Sequence, residues 1–504
     1  MYRSGMSWGV TLTVSCPIFT RHQPVIKKQK SRNPMRRYVL GLVLWLAVWL
    51  PVHAGTDSLR VLSVAEYMAI VGNYHPVASQ ANLLPQQARA SLRVARGGFD
   101  PVLYSDYDSK TFDGKNYYSF FESAVKIPVW YGIEVKAGYD FAYGNNINPE
   151  NKLLGAGLGY LGISVPLGAN LVFDKKRAAL RQAQVFMQAS QQERLSQLND
   201  LFLDALKAYY EWSFAYAEYN VYRQAVVVAE QRFVATRKTA ELGDRPAIDT
   251  TEALTQLQSR QLQLVDSRMR YMNAALEINN YMWLPSGEPY PFDTLIVPAA
   301  PDTLFVQSAL SMTAMEELAA RLRTVNPQLA LYNLKLKQLD IERRLKIENL
   351  KPQLNVQYNL ISNKFSFRSE AGLLFTNSYK FGMQFSMPLA FTQARGELKQ
   401  VRLKIQDTNY GLELKTQQLK NKLRSSFNEL AALQQQARIY LRSVEGFKAL
   451  LDGEQRRFIN GESSLFLVNA RETRYLDAQI KTAELLTKYY KAEASYKWAA
   501  GQVE

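Results

Sequence analysis

Beyond residue 54 the chain carries few groups that could do catalytic chemistry. Of three histidines only His75 lies past that point, and the one cysteine, Cys16, lies before it. One imidazole cannot make a His-based metal site, and one thiol cannot make an internal disulfide. His75 stands beside Pro76, a helix-end context. GLGYLG at 157–162 has the G-x-G-x-x-G spacing that cradles a dinucleotide pyrophosphate. That chemistry requires a strand before the glycines and a helix after them. Here the loop-like NINPENK precedes and the strand-like ISVPL follows, so the glycines read as sites of close packing or bending in a strand. Ser63 and Glu66 have capping-box spacing, which starts a helix. Carboxylates such as Glu429 and Glu445 fall at spacings typical of solvated helix faces. No enzyme, cofactor or metal reading follows from these residues.

The bulk properties point elsewhere. The chain has 504 residues, 47% of them hydrophobic, and a net charge of +16. Residues 1–54 hold eight Lys and Arg and no acid, so the remainder carries +8. MRRYVLGLVLWLAVWLPVHAG at 35–55 has the basic, apolar, small-residue order of a secretory signal, with cleavage expected after Ala54. The apolar run Val39–Leu50 is short for a membrane span. Met35 then reads as the true start, residues 1–34 as an over-called extension and 35–54 as the signal. No second long apolar run follows, so no transmembrane helix is expected after export.

The elements beyond the signal occur in duplicate. Pro76 and Pro101 are separated by 25 positions, and so are Pro327 and Pro352. SVPL (164–167) and SMPL (386–389) each precede a long helical pattern, with about 29 extra residues in the first copy. Between the prolines, Ile133, Val135, Ala137 and Tyr139 alternate with Glu134, Lys136 and Gly138. Leu354, Val356, Tyr358 and Leu360 alternate likewise. Period two marks strands with two unlike faces. Tyr117, Phe120, Phe121, Phe365, Phe367, Phe375, Tyr379 and Phe381 enrich the same regions. Leu195, Leu198, Phe202, Ala205, Tyr209, Trp212 and Tyr216 instead step by three and four. So do Leu430, Leu433, Ala437, Tyr440, Val444, Phe447 and Leu451. These are heptad seams. A helix over 170–241 would be roughly 105 Å long, too long for a compact globule. Gly243 and Gly461 mark the turns where the two rods end.

An exported chain with strands and no apolar helix can span lipid only as a closed barrel. Two principal hairpins give about four strands, and the smallest barrels need about eight. Several copies are therefore expected to close one barrel together, with the rods as staves of a helical tube beneath it.

The doubled proline spacing, the two S-x-P-L motifs and the glycine turns GDRPAIDTTEA and GESSLFLVNARE resemble the TolC-like outer membrane efflux family over nearly all of 57–500. The resemblance implies a mainly α fold with a membrane β-barrel portion. It would be built from duplicated helix–strand–strand–long helix–helix units, three copies forming a 12-stranded β-barrel and a coiled-coil helical barrel. It implies a first repeat at 55–284, with strands at about 100–166 and a tip turn at about 239–250. A Pro-rich, irregular connector would follow at 285–303. The second repeat would occupy 304–504, with strands at about 352–388 and a tip turn at about 456–468. Pro101, Pro166, Pro352 and Pro388 would mark strand and helix junctions. Gly243, Asp244, Gly461, Glu462 and Ser463 would meet a periplasmic adaptor that couples the duct to an inner-membrane pump of the RND or ABC type. Acidic residues six or nine positions after the tip glycine are common in the family; here these are Asp249 and Glu252, whereas the second turn has Leu467 and Ala470. Asp249 then has two readings, a cap on the following helix or part of a carboxylate ring that favours cations. The implied protein is a passive outer membrane duct for drugs or toxic solutes. A type I protein secretion duct and a trimeric coiled-coil surface rod are the alternatives; two hairpins placed inside returning helical units favour a duct over a rod.

Overall fold

The computed structural model describes residues 60–502 apart from 145, 150–152, 154–156, 292–294, 304–309 and 363–377. The expected extension, signal and Cys16, with Phe365, Phe367 and Phe375, lie outside the described residues.

Each repeat opens with two helices meeting at a proline. The first runs through β1 (Arg60–Leu62), α1 (Val64–Tyr74) and α2 (Pro76–Gly97); the second through α5 (Met312–Val325) and α6 (Pro327–Glu348). Ser63 and Ser311 cap α1 and α5 by accepting from the amides of Glu66 and Ala314. The breaks are alike. His75 caps α2 and Asn326 caps α6, each in extended backbone with a proline at the next position. Proline lacks the amide needed to continue the earlier helix, yet suits the first turn of the next.

The long helices are α3 (Lys175–Glu241, 67 residues) and α7 (Thr392–Ile459, 68 residues), each about 100 Å long. They fold back as α4 (Ala247–Asn279) and α8 (Leu465–Ala500). The middle of each heptad seam is buried, whereas Leu195 at the start of the first is exposed: Ala205, Tyr209 and Trp212 are almost fully buried with Tyr67, Ile278 and Met282. Leu430 and Leu433 pack with Leu485 and Tyr489. α3 packs on α2, α4, α6 and α8, and so holds the two repeats together.

The strands form one antiparallel sheet ordered β2 (Val102–Phe112), β3 (Lys115–Pro128), β4 (Glu134–Tyr143), β5 (Leu158–Gly168), β7 (Gln353–Ser362), β8 (Tyr379–Ser386). This corrects the expected strand count: this sheet holds six, not about four. The extra hairpin lies between Pro101 and Pro166, where the first copy has its surplus residues. It turns on Asp113 and Gly114, both left-handed at φ 52° and 71°, as a tight two-residue hairpin demands. The β2 sequence, VLYSDYDSKTF, alternates serine with aspartate and lysine over much of its length, so its apolar period is faint. Pro101 and Pro352 do precede strands. Pro166, however, lies within β5 opposite Asn355, and Pro388 follows β8. The long helices start only at Lys175 and Thr392, so the S-x-P-L motifs end strands and do not start helices.

The connector is also more ordered than expected. Its β6 (Ile296–Pro298) pairs in parallel with β1, Arg60 opposite Ile296. The Tyr209 hydroxyl donates to the Leu62 carbonyl at 2.7 Å and accepts from the Ala299 amide at 3.2 Å. One phenol thereby ties this ribbon to α3.

Candidate functional site

Strand register divides the sheet into two faces. Rows such as Asp106–Glu122–Asp140 and Lys126–Lys136 place polar residues on one side, continued by Gln357, Asn359 and Lys380. The other side carries Tyr107–Phe121–Phe141, Ile163–Tyr358–Phe381 and Leu167–Leu354–Phe385. Among the described residues no helix packs broadly on either face. On the polar side the Tyr104 and Tyr160 hydroxyls donate to one Glu122 oxygen at 2.6 and 2.9 Å. Glycine permits this crowding: a Cβ on Gly138 would lie 2.6 Å from both the Tyr160 ring and Ala124. GLGYLG runs into β5, with no helix after it, so it is not a nucleotide cradle. A Cβ on its Gly162 would meet Asn359 Oδ1 at 1.9 Å.

The opposite ends of the helices form two matched turns. At the first, the Asp244 amide donates to Thr239 at 3.0 Å and the Gly243 amide to Ala240 at 3.1 Å. At the second, Glu462 donates to Arg457 at 2.8 Å and Gly461 to Phe458 at 3.2 Å. Both glycines are left-handed, φ 81° and 80°. This pair of bonds closes a helix C-terminus and favours glycine. Asp244 and Glu462 project from exposed positions. Ser463 is occupied: its hydroxyl donates to Glu454 at 2.6 Å. With Arg471 nearby, that bond holds the Glu454 carboxyl below its usual range. The two turns touch where the Arg245 guanidinium lies over the Phe458 ring, 4.0 Å from its centroid.

The two expected acids have different settings. Asp249 stands in the first turn of α4, 3.6 Å from Arg245. The helix-capping position belongs to Pro246, which makes no side-chain cap. Asp249 therefore does not cap by hydrogen bond; an acid in a first turn still opposes the positive end of the helix dipole. Glu252 accepts from Asn469 Nδ2 of α8 at 3.0 Å. Asn469 in turn accepts from Arg232 of α3 at 3.0 Å, and Arg232 grips both oxygens of Glu472 at 2.8 and 3.1 Å. Arg260 of α4 donates to Thr473 at 2.7 Å. Sequence reasoning did not identify Arg232, Asn469 or Glu472. Their signal is an interruption of the apolar seam Leu465, Val468, Leu476, where Asn469 and Glu472 are buried yet polar.

Further up the rods, Arg270 pairs with Glu218 at 3.0 Å, against the burial that pushes the Glu218 carboxyl up. Lys491 pairs with Glu211, the Tyr210 and Tyr490 rings stack at 4.9 Å, and the Trp498 indole donates to Asp200 at 2.6 Å. Among the described residues no cluster of His, Cys, Asp and Glu could hold a metal ion, and no helix is long and apolar enough to cross a membrane.

Residues 144–282, from the end of β4 through α4, match the model of the outer membrane efflux protein family. Solved channels share the fold. The CmeC outer membrane channel of Campylobacter jejuni is 13% identical, with 87% of this chain and 85% of that chain covered at a TM-score of 0.61. The open state of the Neisseria gonorrhoeae MtrE channel is 14% identical, with 86% and 88% covered at 0.62. The Vibrio cholerae outer membrane protein VceC is 12% identical, with 87% and 96% covered at 0.59. No curated protein is matched by the sequence. The chain has the fold of outer membrane efflux channels.

Proposed function

We propose that this chain is the outer membrane component of a tripartite export system, three copies forming a passive duct across the periplasm and outer membrane. One observation carries the reading. A single polypeptide joins an uncovered sheet with one apolar and one polar face to two helical hairpins about 100 Å long. Lipid is the natural cover for the apolar face and a water-filled lumen for the polar one. Drugs and other small toxic solutes are the cargo, supplied by an inner-membrane pump through a periplasmic adaptor. The adaptor docks at the turns, with Asp244 and Glu462 as exposed contacts beside Gly243 and Gly461. Ser463 contributes less, being bonded inward to Glu454.

Asp249 and Glu252 are the gate candidates. In a trimer they place up to six carboxylates near the narrow end, favouring cations. The test is conductance of the purified full chain in planar bilayers, together with drug susceptibility of a deletion strain. Stable channels and increased susceptibility are expected; a non-conducting protein whose loss changes no susceptibility overturns the reading in favour of a surface rod.

A further inference from the structure

We infer that the barrel closed by three copies has eighteen strands, each copy contributing six, with β2 of one copy pairing to β8 of its neighbour. The inference rests on the trimeric duct proposed above. β2 and β8 are the two edges of the sheet. An exposed edge in lipid leaves a row of amides and carbonyls without partners. The strands alternate in direction across the whole sheet, so an edge-to-edge joint between copies is again antiparallel and the alternation is unbroken around a ring.

The register follows from stagger. A row perpendicular to the strands runs from Val102 through Lys126, Lys136, Gly162 and Asn359 to Lys380. Val102 begins β2 beside Pro101, and Ser386 ends β8 before α7, so both lie at the helical end of the barrel. Lys380 is six residues short of Ser386, which sets the stagger contributed by one copy. Three such copies give a strand tilt of about 35°, inside the range barrels require. Keeping the helical ends level sets Val102 opposite Ser386 of the neighbouring copy. Asp108 then falls opposite Lys380 on the polar face, and Tyr107 opposite Phe381 on the apolar face. Opposite charges and paired aromatics are the cross-strand partners that stabilise a joint. Both faces also stay continuous across it.

Eighteen strands at this tilt make a cylinder about 34 Å across between backbones, against about 22 Å for twelve. Barrels of this strand number leave an aqueous channel. The outer mouth of this duct is therefore broad, and restriction of cargo falls to the helix tips.

The test uses the full chain in a Cys16→Ser background, which removes its only native cysteine. Asp108→Cys combined with Lys380→Cys is expected to give disulfide-linked trimers on denaturing gels. Tyr104→Cys with Lys380→Cys, four residues out of register, is expected to give none. A trimer that is intact by native mass spectrometry but unlinked at 108 and 380 overturns this register. Electron cryo-microscopy of the unsubstituted trimer counts the strands directly: eighteen are expected, and twelve overturn the inference while leaving the duct intact. A monomer by native mass spectrometry overturns the duct reading itself.

Discussion

Arg232 of α3 holds Glu472 of α8 through two parallel hydrogen bonds of 2.8 and 3.1 Å, with both side chains largely buried. The pair links the helical hairpin of the first repeat to that of the second. Losing one partner of a buried ion pair leaves the other charge desolvated, which costs about 3–5 kcal/mol. Glu472→Ala is therefore expected to lower the unfolding midpoint in detergent. Arg232→Met with Glu472→Leu, which removes both charges, should recover most of it. A double variant no more stable than the single one argues against this pair as the source.

His75 makes the fold pH-sensitive at the α1–α2 junction. Its Nδ1 accepts from the Val77 amide at 3.1 Å and its ring stacks on Tyr281, so the cap works only with Nδ1 unprotonated. Burial lowers its pKa, partly opposed by a bond to the Asn280 backbone. The unfolded chain then binds the proton more readily than the folded one. The contribution is complete above the ordinary imidazole value of about 6.5 and is lost as pH falls through the depressed folded value. Asn326 fills the same position in the second repeat without titrating. His75→Asn should keep the cap and flatten the stability loss that sets in as pH falls below about 6.5. Equal losses in both proteins would exclude His75 as the titrating group.

The tip glycines are required for backbone conformation alone. At Gly243 and Gly461 a Cβ would meet nothing within 4 Å, but φ is 81° and 80°. Alanine at either position should destabilise its turn by about 1–2 kcal/mol. Hydrogen exchange should report this as faster opening of the last turns of α3 or α7, with the rest of the helix unchanged. Protection equal to that of the parent protein counts against the strain argument.

Asp249 and Glu252 can be separated by their partners. Glu252 is bound to Asn469 across helices, whereas Asp249 is paired with Arg245 in its own turn. Asp249→Asn should reduce cation selectivity without loosening the tip. Glu252→Gln should do both. Reversal potentials in a salt gradient measure the first effect, and the single-channel conductance of the resting duct measures the second. Unchanged reversal potentials in both variants would remove these acids from the permeation path.

Local rules with one dominant cause were readable from the residues. Pro76 and Pro327 announced their helix breaks, Gly243 and Gly461 their turns, and Tyr209 and Trp212 their buried seam. Features depending on distant partners were not. β2 is obscured because Ser105 and Ser109, which lie opposite Ser123 and Ser119 of β3, make its apolar side look polar. Three-residue β6 is too short to show a period and exists by pairing with β1. The clasp of Arg232, Asn469 and Glu472 joins residues about 240 positions apart, and no spacing rule reaches that far.

The parallel pairing of Arg60–Leu62 with Ile296–Pro298 also orders biogenesis. Synthesis from the amino end delivers β1 long before β6. Until the connector emerges, Tyr209 lacks its Ala299 donor and the waist of the first repeat stays open. Leu62, Tyr67 and Trp212 line that waist, so the half-delivered chain displays sticky surface.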